Sequence, residues 1–172
     1  MIDRETILKE RAKILAREPE TRHREIHYVS IVEFLIDQDR YGVPADCVRE
    51  VYLLKEITTI PGVPEYVMGI INVRGQIFSV IDIKALFNIP KGKGISNLNK
   101  VIIIHNETME FGIVVDSITG ITSIPSHKIT PAPLTMTEFV RKYIKGITSD
   151  HLILLDAEQL LMDNSIVVND EV

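Results

Sequence analysis

The feature that most constrains this chain is an internal duplication. Tyr41-Gly42-Val43, followed by Asp46, Val48 and Val51, is matched by Phe111-Gly112-Ile113, followed by Asp116, Ile118 and Ile121. Tyr66 and Gly69-Ile70 are matched by Tyr143 and Gly146-Ile147. Val80-Ile81-Asp82 with Leu86-Phe87 is matched by Leu154-Leu155-Asp156 with Leu160-Leu161. The period is about 70 residues and drifts, as loop insertions would make it do. Units of this size, made of short strands and glycine turns, predict two small β-barrels, whose closed sheets leave few exposed edges. Gly42 and Gly112 suit a turn or bulge where a side chain would clash. A single long sandwich is the competing architecture.

Within the first unit, Val32, Phe34 and Ile36 alternate with Glu33 and Asp37, the period of a half-buried strand. Asp39-Arg40 reads as its hairpin turn, Asp46 to Val51 as a short helix or irregular crossing, and Ile57 to Ile60 as a strand closed by Pro61-Gly62. Val67 to Val73 and Gln76 to Ile83 flank Arg74-Gly75 as a hairpin, and Lys84 to Phe87 reads as a helical turn. Pro90-Lys91-Gly92-Lys93-Gly94 is a loop between the units. Ahead of them, Asp3 caps a helix carrying Ile7, Leu8, Ala12, Leu15 and Ala16, which Pro19 ends. That helix either lies at the periphery or serves as a docking element, and Glu20 to His27 read as a charged linker.

Composition narrows the function classes. The 172 residues are 45% hydrophobic and 25% charged, with no tryptophan, so aliphatic and β-branched side chains must fill the core. A net charge of −5 argues against a nucleic-acid partner, which needs a basic face. One cysteine, Cys47, leaves no disulfide framework or cysteine-rich zinc site. No apolar run reaches the roughly 18 residues of a membrane span, and Met-Ile-Asp-Arg-Glu lacks a signal-peptide core. A cytosolic protein without direct membrane insertion is expected.

Catalytic patterns do not assemble. His23 and His27 have helical i, i+4 spacing but lie in the charged linker, without a third ligand or a His-Glu-x-x-His order. Gly92-Lys93-Gly94 lacks the order of a phosphate loop. Cys47 is flanked directly by Asp46 and Val48, neither of which activates a thiolate, and reads as a small buried hydrophobe. Asp82 and Asp156 each open a helical turn, where capping explains them. No enzyme activity, metal or cofactor is expected.

The two units differ in one instructive place. The first has Asn72-Val73-Arg74-Gly75 where the second has a stretch around Ser149-Asp150-His151, and Glu50 where the second has Gly120. An acid and a base are thus specific to one half. Glu50 and Arg74 are expected to approach each other beside Val48 and Val51, an apolar patch with a charged rim suited to protein recognition.

These residues resemble the CheW-like domain. The resemblance rests on Tyr41-Gly42-Val43 to Glu50-Val51, Gly69-Ile70-Ile71-Asn72-Val73-Arg74-Gly75, Val80-Ile81-Asp82-Ile83, Gly112-Ile113-Val114-Val115-Asp116 and Pro131-Ala132-Pro133. It implies a mainly β fold, two intertwined pseudo-symmetric five-stranded SH3-like barrels with short helices. The organisation it implies is a helix and linker at 1–27, a CheW-like domain at 28–165 with repeats near 28–90 and 98–162, and a tail at 166–172. It implies a non-catalytic adaptor between the cytoplasmic tip of methyl-accepting chemoreceptors and the regulatory domain of the CheA kinase. By similarity, Val48, Glu50, Val51, Gly69, Asn72, Arg74 and Gly75 serve receptor coupling, and Val114 and Val115 line the cleft between barrels. Ile31, Glu33 and Leu35, on an outer strand, are candidate kinase contacts. Ser79 and Lys84 stand where the family often has proline and arginine. An adaptor in a related kinase pathway for non-swimming behaviour, or a small-ligand binder using the cleft, are the alternatives.

Overall fold

A computed structural model describes residues 3–16, 25–90, 92 and 99–166. His23, Pro19, Lys91, Lys93, Gly94 and the tail from 167 lie outside the described residues. Helix α1, Arg4–Ala16, starts at Asp3, and its side chains as far as Lys13 are exposed, Ile7 and Leu8 included.

The first hairpin joins β1, Tyr28–Ile36, to β2, Asp39–Pro44. Its turn is Asp37-Gln38 and not the expected Asp39-Arg40: Asp37 takes a left-handed φ of 55°, so Ile36 pairs with Asp39 as the last rung. A 3-10 turn, Ala45–Cys47, leads into β3, Val48–Leu53. The expected helix is therefore only this short turn, and the residues after it are a strand. Ile57 to Ile60 is likewise not a strand; Thr58 alone makes a bridge, to Ile70. Next come β4, Val67–Val73, and β5, Gln76–Ile81, then α2, Ile83–Leu86. The strand thus ends two residues before Ile83, because the Asp82 carboxylate accepts from the amides of Lys84 and Ala85 and starts the helix.

The second unit repeats the plan with β6, Lys100–His105; β7, Glu110–Val115; β8, Ser117–Pro125; a 3-10 turn, Ser126–Lys128; α3, Glu138–Lys142; β9, Ile144–Ile147; β10, Ile153–Leu155; and α4, Ala157–Met162. Asp156 caps α4 by accepting from Gln159, as Asp82 caps α2.

Two five-stranded sheets result, ordered β8-β1-β2-β10-β9 and β3-β6-β7-β5-β4. Replacing each strand by its counterpart in the other unit turns one order into the other. Each barrel therefore takes its first hairpin from one unit and its remaining three strands from the other. The units join through antiparallel pairs, β1 with β8 and β3 with β6, and through parallel pairs, β2 with β10 and β5 with β7, which place Gly42 beside Leu154 and Gly112 beside Val80. Single bridges, Thr58 to Ile70 and Thr130 to Ile147, close the outer strands towards each other. This excludes the single sandwich.

Gly42 and Gly112 lie within strands, not at turns or bulges. A Cβ on Gly112 would sit 2.4 Å from Val101 Cγ1, and one on Gly42 2.9 Å from Ile31 Cδ1, so close packing excludes a side chain. Each barrel has its own apolar filling: Ile71, Val73, Phe78, Val80, Val101 and Ile103 in one; Ile31, Leu152 and Leu154 in the other. A larger cluster joins the outer faces of both sheets to α2 and α4 through Phe34, Tyr41, Ile102, Phe111, Tyr143 and Leu160. Each such side chain, fully buried, contributes about 1.5–3 kcal/mol. The barrels are thus fused by core.

Candidate functional site

The β4–β5 hairpin turns on two residues with positive φ, Arg74 at 52° and Gly75 at 85°, the geometry that matches the twist of paired strands. Asn72 Oδ1 accepts from the Gly75 amide at 2.9 Å and fixes the turn. Arg74 is thereby held at the tip with 82% of its side chain exposed, and its Nη2 lies 3.1 Å from Glu50 Oε2. Because β3 and β4 are the two outer strands of their sheet, this ion pair crosses the open seam of the barrel. Exposed Val51 and Leu53 on β3 and Ile77 on β5 supply apolar surface on the same strands. Val48 is half-buried and packs on the central core.

The other expected residues are placed differently. A Cβ on Gly69 would lie 2.2 Å from the Thr58 carbonyl oxygen, so this glycine permits the barrel-closing bridge. Val114 and Val115 do not line an open cleft. Val114 is 9% exposed inside its barrel and Val115 is buried in the central cluster, because β7 is covered on both faces. The outer-strand placement of Ile31, Glu33 and Leu35 also needs correction: β1 lies between β8 and β2. Ile31 is fully buried, Leu35 is half-buried, and the buried Glu33 carboxylate accepts from Arg40 Nε at 2.7 Å.

The corresponding end of the other barrel has different chemistry. Gly120 stands opposite Glu33 on β1, and the β9–β10 connection carries Asp150, which accepts from Arg40 at 3.0 Å and from Thr148. These bonds hold the Asp150 carboxyl below its usual range. The acid–base pair exposed across a seam is thus a property of one barrel.

Sequence reading missed three further networks, all formed between residues distant in the chain. Arg49 donates to Glu110 at 2.6 Å and to Gln76 at 2.9 Å. Lys84 bonds to Asp37 and lies 3.4 Å from Asp39. Asp163 accepts from Lys142 at 2.7 Å and from the Tyr143 hydroxyl. No local spacing signals any of them. Cys47 is half-buried, and burial together with Asp46 pushes its thiol up to about 11, the opposite of activation. Among the described residues no group of three or more His, Cys, Asp or Glu side chains is arranged to hold a metal ion, and no helix is long and apolar enough to cross a membrane.

The family model for the CheW-like domain matches residues 30–165. The chain belongs to the CheW-like family. The chemotaxis protein CheW of Klebsiella aerogenes is 28% identical over 142 residues, covering 81% of this chain and 85% of that protein. Protein FrzA of Myxococcus xanthus is 30% identical over 102 residues, 59% of this chain and 62% of FrzA. The crystal structure of the scaffolding protein TtCheW from Thermoanaerobacter tengcongensis superposes with a TM-score of 0.69 at 32% identity, covering 81% of this chain and 96% of that one. The exchanged-strand pair of barrels described above is thus the CheW fold, and the Glu50–Arg74 seam lies within the matched span.

Proposed function

We propose that this chain is a chemotaxis coupling adaptor that holds a methyl-accepting chemoreceptor and the CheA kinase in one assembly without catalysing a reaction. The observation that carries this reading is the exposed Arg74, tethered to Glu50 across the seam of one barrel only, on strands that also carry exposed apolar residues. A guanidinium with one bond to a carboxylate keeps further donors for a partner. The partner fitted to this surface is the helical hairpin at the receptor's cytoplasmic tip, docking by a helix-in-groove mode. Val48, Glu50, Val51, Asn72, Arg74 and Gly75 form or shape that surface. The kinase's regulatory domain takes a separate face, and the adaptor module is the span 28–165. Holding both partners raises their effective concentration, so two modest affinities produce a strong assembly. The adaptor would work in the cytoplasm, bound to receptor arrays through its partners.

The test combines a receptor signalling fragment, CheA and this chain. A ternary complex with raised kinase activity is expected, and Arg74→Glu should abolish receptor binding while the melting temperature stays nearly constant. An exposed pair is worth about 1 kcal/mol at most, which for this chain length is a shift of about 4 °C or less. Kinase activity that stays basal with no ternary complex would overturn the proposal. Fragments from receptors of swimming and non-swimming pathways, compared side by side, would identify the pathway served.

A further inference from the structure

We infer that Arg49 is a positioning residue that sets the direction of the Arg74 hairpin, an inference that rests on the receptor-coupling reading above. Strand β3 carries a bulge between Val48 and Glu50: Val48 pairs with Ile104 and Glu50 with Ile103, leaving Arg49 as the extra residue without a rung. Such a bulge re-aims the side chain of the inserted residue. The Arg49 guanidinium reaches past β6 to two strands it does not pair with. Nη1 donates to Glu110 Oε2 at 2.6 Å, on the first residue of β7. Nη2 donates to Gln76 Oε1 at 2.9 Å, on the first residue of β5. Its central carbon lies 5.8 Å from the centre of the buried Phe78 ring, within cation–π range.

Gln76 directly follows the Arg74-Gly75 turn and pairs with Val73, so this rung is the base of the turn. Arg49 therefore holds the base of the turn while its neighbour Glu50 holds the tip. In a regular strand, consecutive residues point to opposite faces; the bulge is what lets both reach one hairpin. A planar fork is required at position 49, because two acceptors on different strands must be met at once, which the point charge of lysine does not do. Without Arg49 the chemistry of the Glu50–Arg74 pair is intact, but the turn that aims it loses its side-chain tie at Gln76.

The experiment uses the full chain and the variants Arg49→Ala, Arg49→Lys, Gln76→Leu and Arg49→Ala/Arg74→Ala. It reads affinity for a receptor signalling fragment, affinity for the CheA regulatory domain, and amide hydrogen exchange of residues 72–77 in the free protein. Arg49→Ala and Gln76→Leu should each weaken receptor binding about tenfold, with kinase-domain affinity unchanged and faster exchange in the hairpin. Arg49→Lys should not restore affinity. Adding Arg49→Ala to Arg74→Ala should cost less than about twofold more, since a residue that acts only through Arg74 has nothing left to position. Unchanged receptor affinity in Arg49→Ala, rescue by lysine, or multiplying losses in the double variant would overturn the inference. If the unaltered chain binds no receptor fragment, the functional reading fails instead; hairpin exchange then decides the positioning role alone, and equal rates would end it. Gln76→Leu removes only the contact to the base of the turn and serves if Arg49→Ala does not fold.

Discussion

Lys84→Met is the most informative single change to the scaffold. Lys84 lies in the first turn of α2, and its side chain is 7% exposed. Its ammonium bonds to Asp37 in the β1–β2 turn and lies 3.4 Å from Asp39. The Asp37 amide in turn donates to Asp116 at 2.5 Å, whose other oxygen accepts from Asn99 at 2.8 Å. The helix that follows one barrel's β5 is thereby tied to a hairpin of the other barrel. Removing one partner of a buried pair costs about 3–5 kcal/mol. Water reaches Asp39 freely and Asp37 in part, with side chains 54% and 19% exposed, so the loss falls below that scale, at about 2–3 kcal/mol. For a chain of this length that is a fall in melting temperature of about 4–12 °C. Adding Asp37→Asn should recover at least half of the loss, because the buried carboxylate is gone and asparagine accepts the left-handed φ at that position. The assay is thermal and urea denaturation of the three proteins at pH 7 and pH 9. Burial pulls the Lys84 pKa down, but its bonds to Asp37 and Asp39 raise it above 10.5 overall. The stabilisation is therefore complete below the ordinary lysine value and lost only above the raised one, so pH 7 and pH 9 should agree. A single variant that melts within 1 °C of the parent, or a double variant less stable than the single, would refute the reasoning.

Three further outcomes are expected. Gly112→Ala should destabilise by about 1–3 kcal/mol in urea unfolding, because its Cβ would lie 2.4 Å from Val101, whereas Gly75→Asn, with nothing within 4 Å and a φ that asparagine tolerates, should cost under about 1 kcal/mol. The Asp163 carboxyl is held well below its usual 3.8 by Lys142, Ser165 and Tyr143, so its contribution is present above that value and lost as pH falls; the stability gap to Asp163→Asn should shrink between pH 5 and pH 2, and a constant gap would contradict this. Cys47, pushed up to about 11, should react with a thiol reagent at pH 8 far more slowly in the folded chain than in urea, and equal rates would disprove its assignment as an inert packing residue.

Local chemistry was readable in the sequence, and long-range placement was not. The capping roles of Asp82 and Asp156 and the Arg74-Gly75 turn depend on neighbours a few residues away, and all three stand as read. Strand β3 was hidden by its own bulge: inserting Arg49 puts Val48 and Val51 three apart, a helical spacing, where an unbroken strand would alternate. Ile57 to Ile60 has strand composition but meets β4 only at Thr58, so it earns one bridge and no ladder. The burial of Ile31, Glu33, Val114 and Val115 depends on layers contributed by distant segments, which periodicity along one strand does not report. The duplication announced two similar units; only the family resemblance implied that they are intertwined. Glu50 and Arg74 were found because comparing the halves exposes what one has and the other lacks.

The exchange of hairpins between the two units also orders the birth of the molecule. Strands β1 and β2 leave the ribosome before the other eight, yet their neighbours in the sheet are β8 and β10, the latter ending at Leu155. The barrel containing β3 to β7 can close once Val115 has emerged, while the β1–β2 hairpin must wait for β8 on one flank and, on the other, for β10 at Leu155. A nascent chain stalled midway would thus present an orphan pair of strands to its surroundings, and a gene cut between the repeats would encode two fragments that complete each other only by trading hairpins.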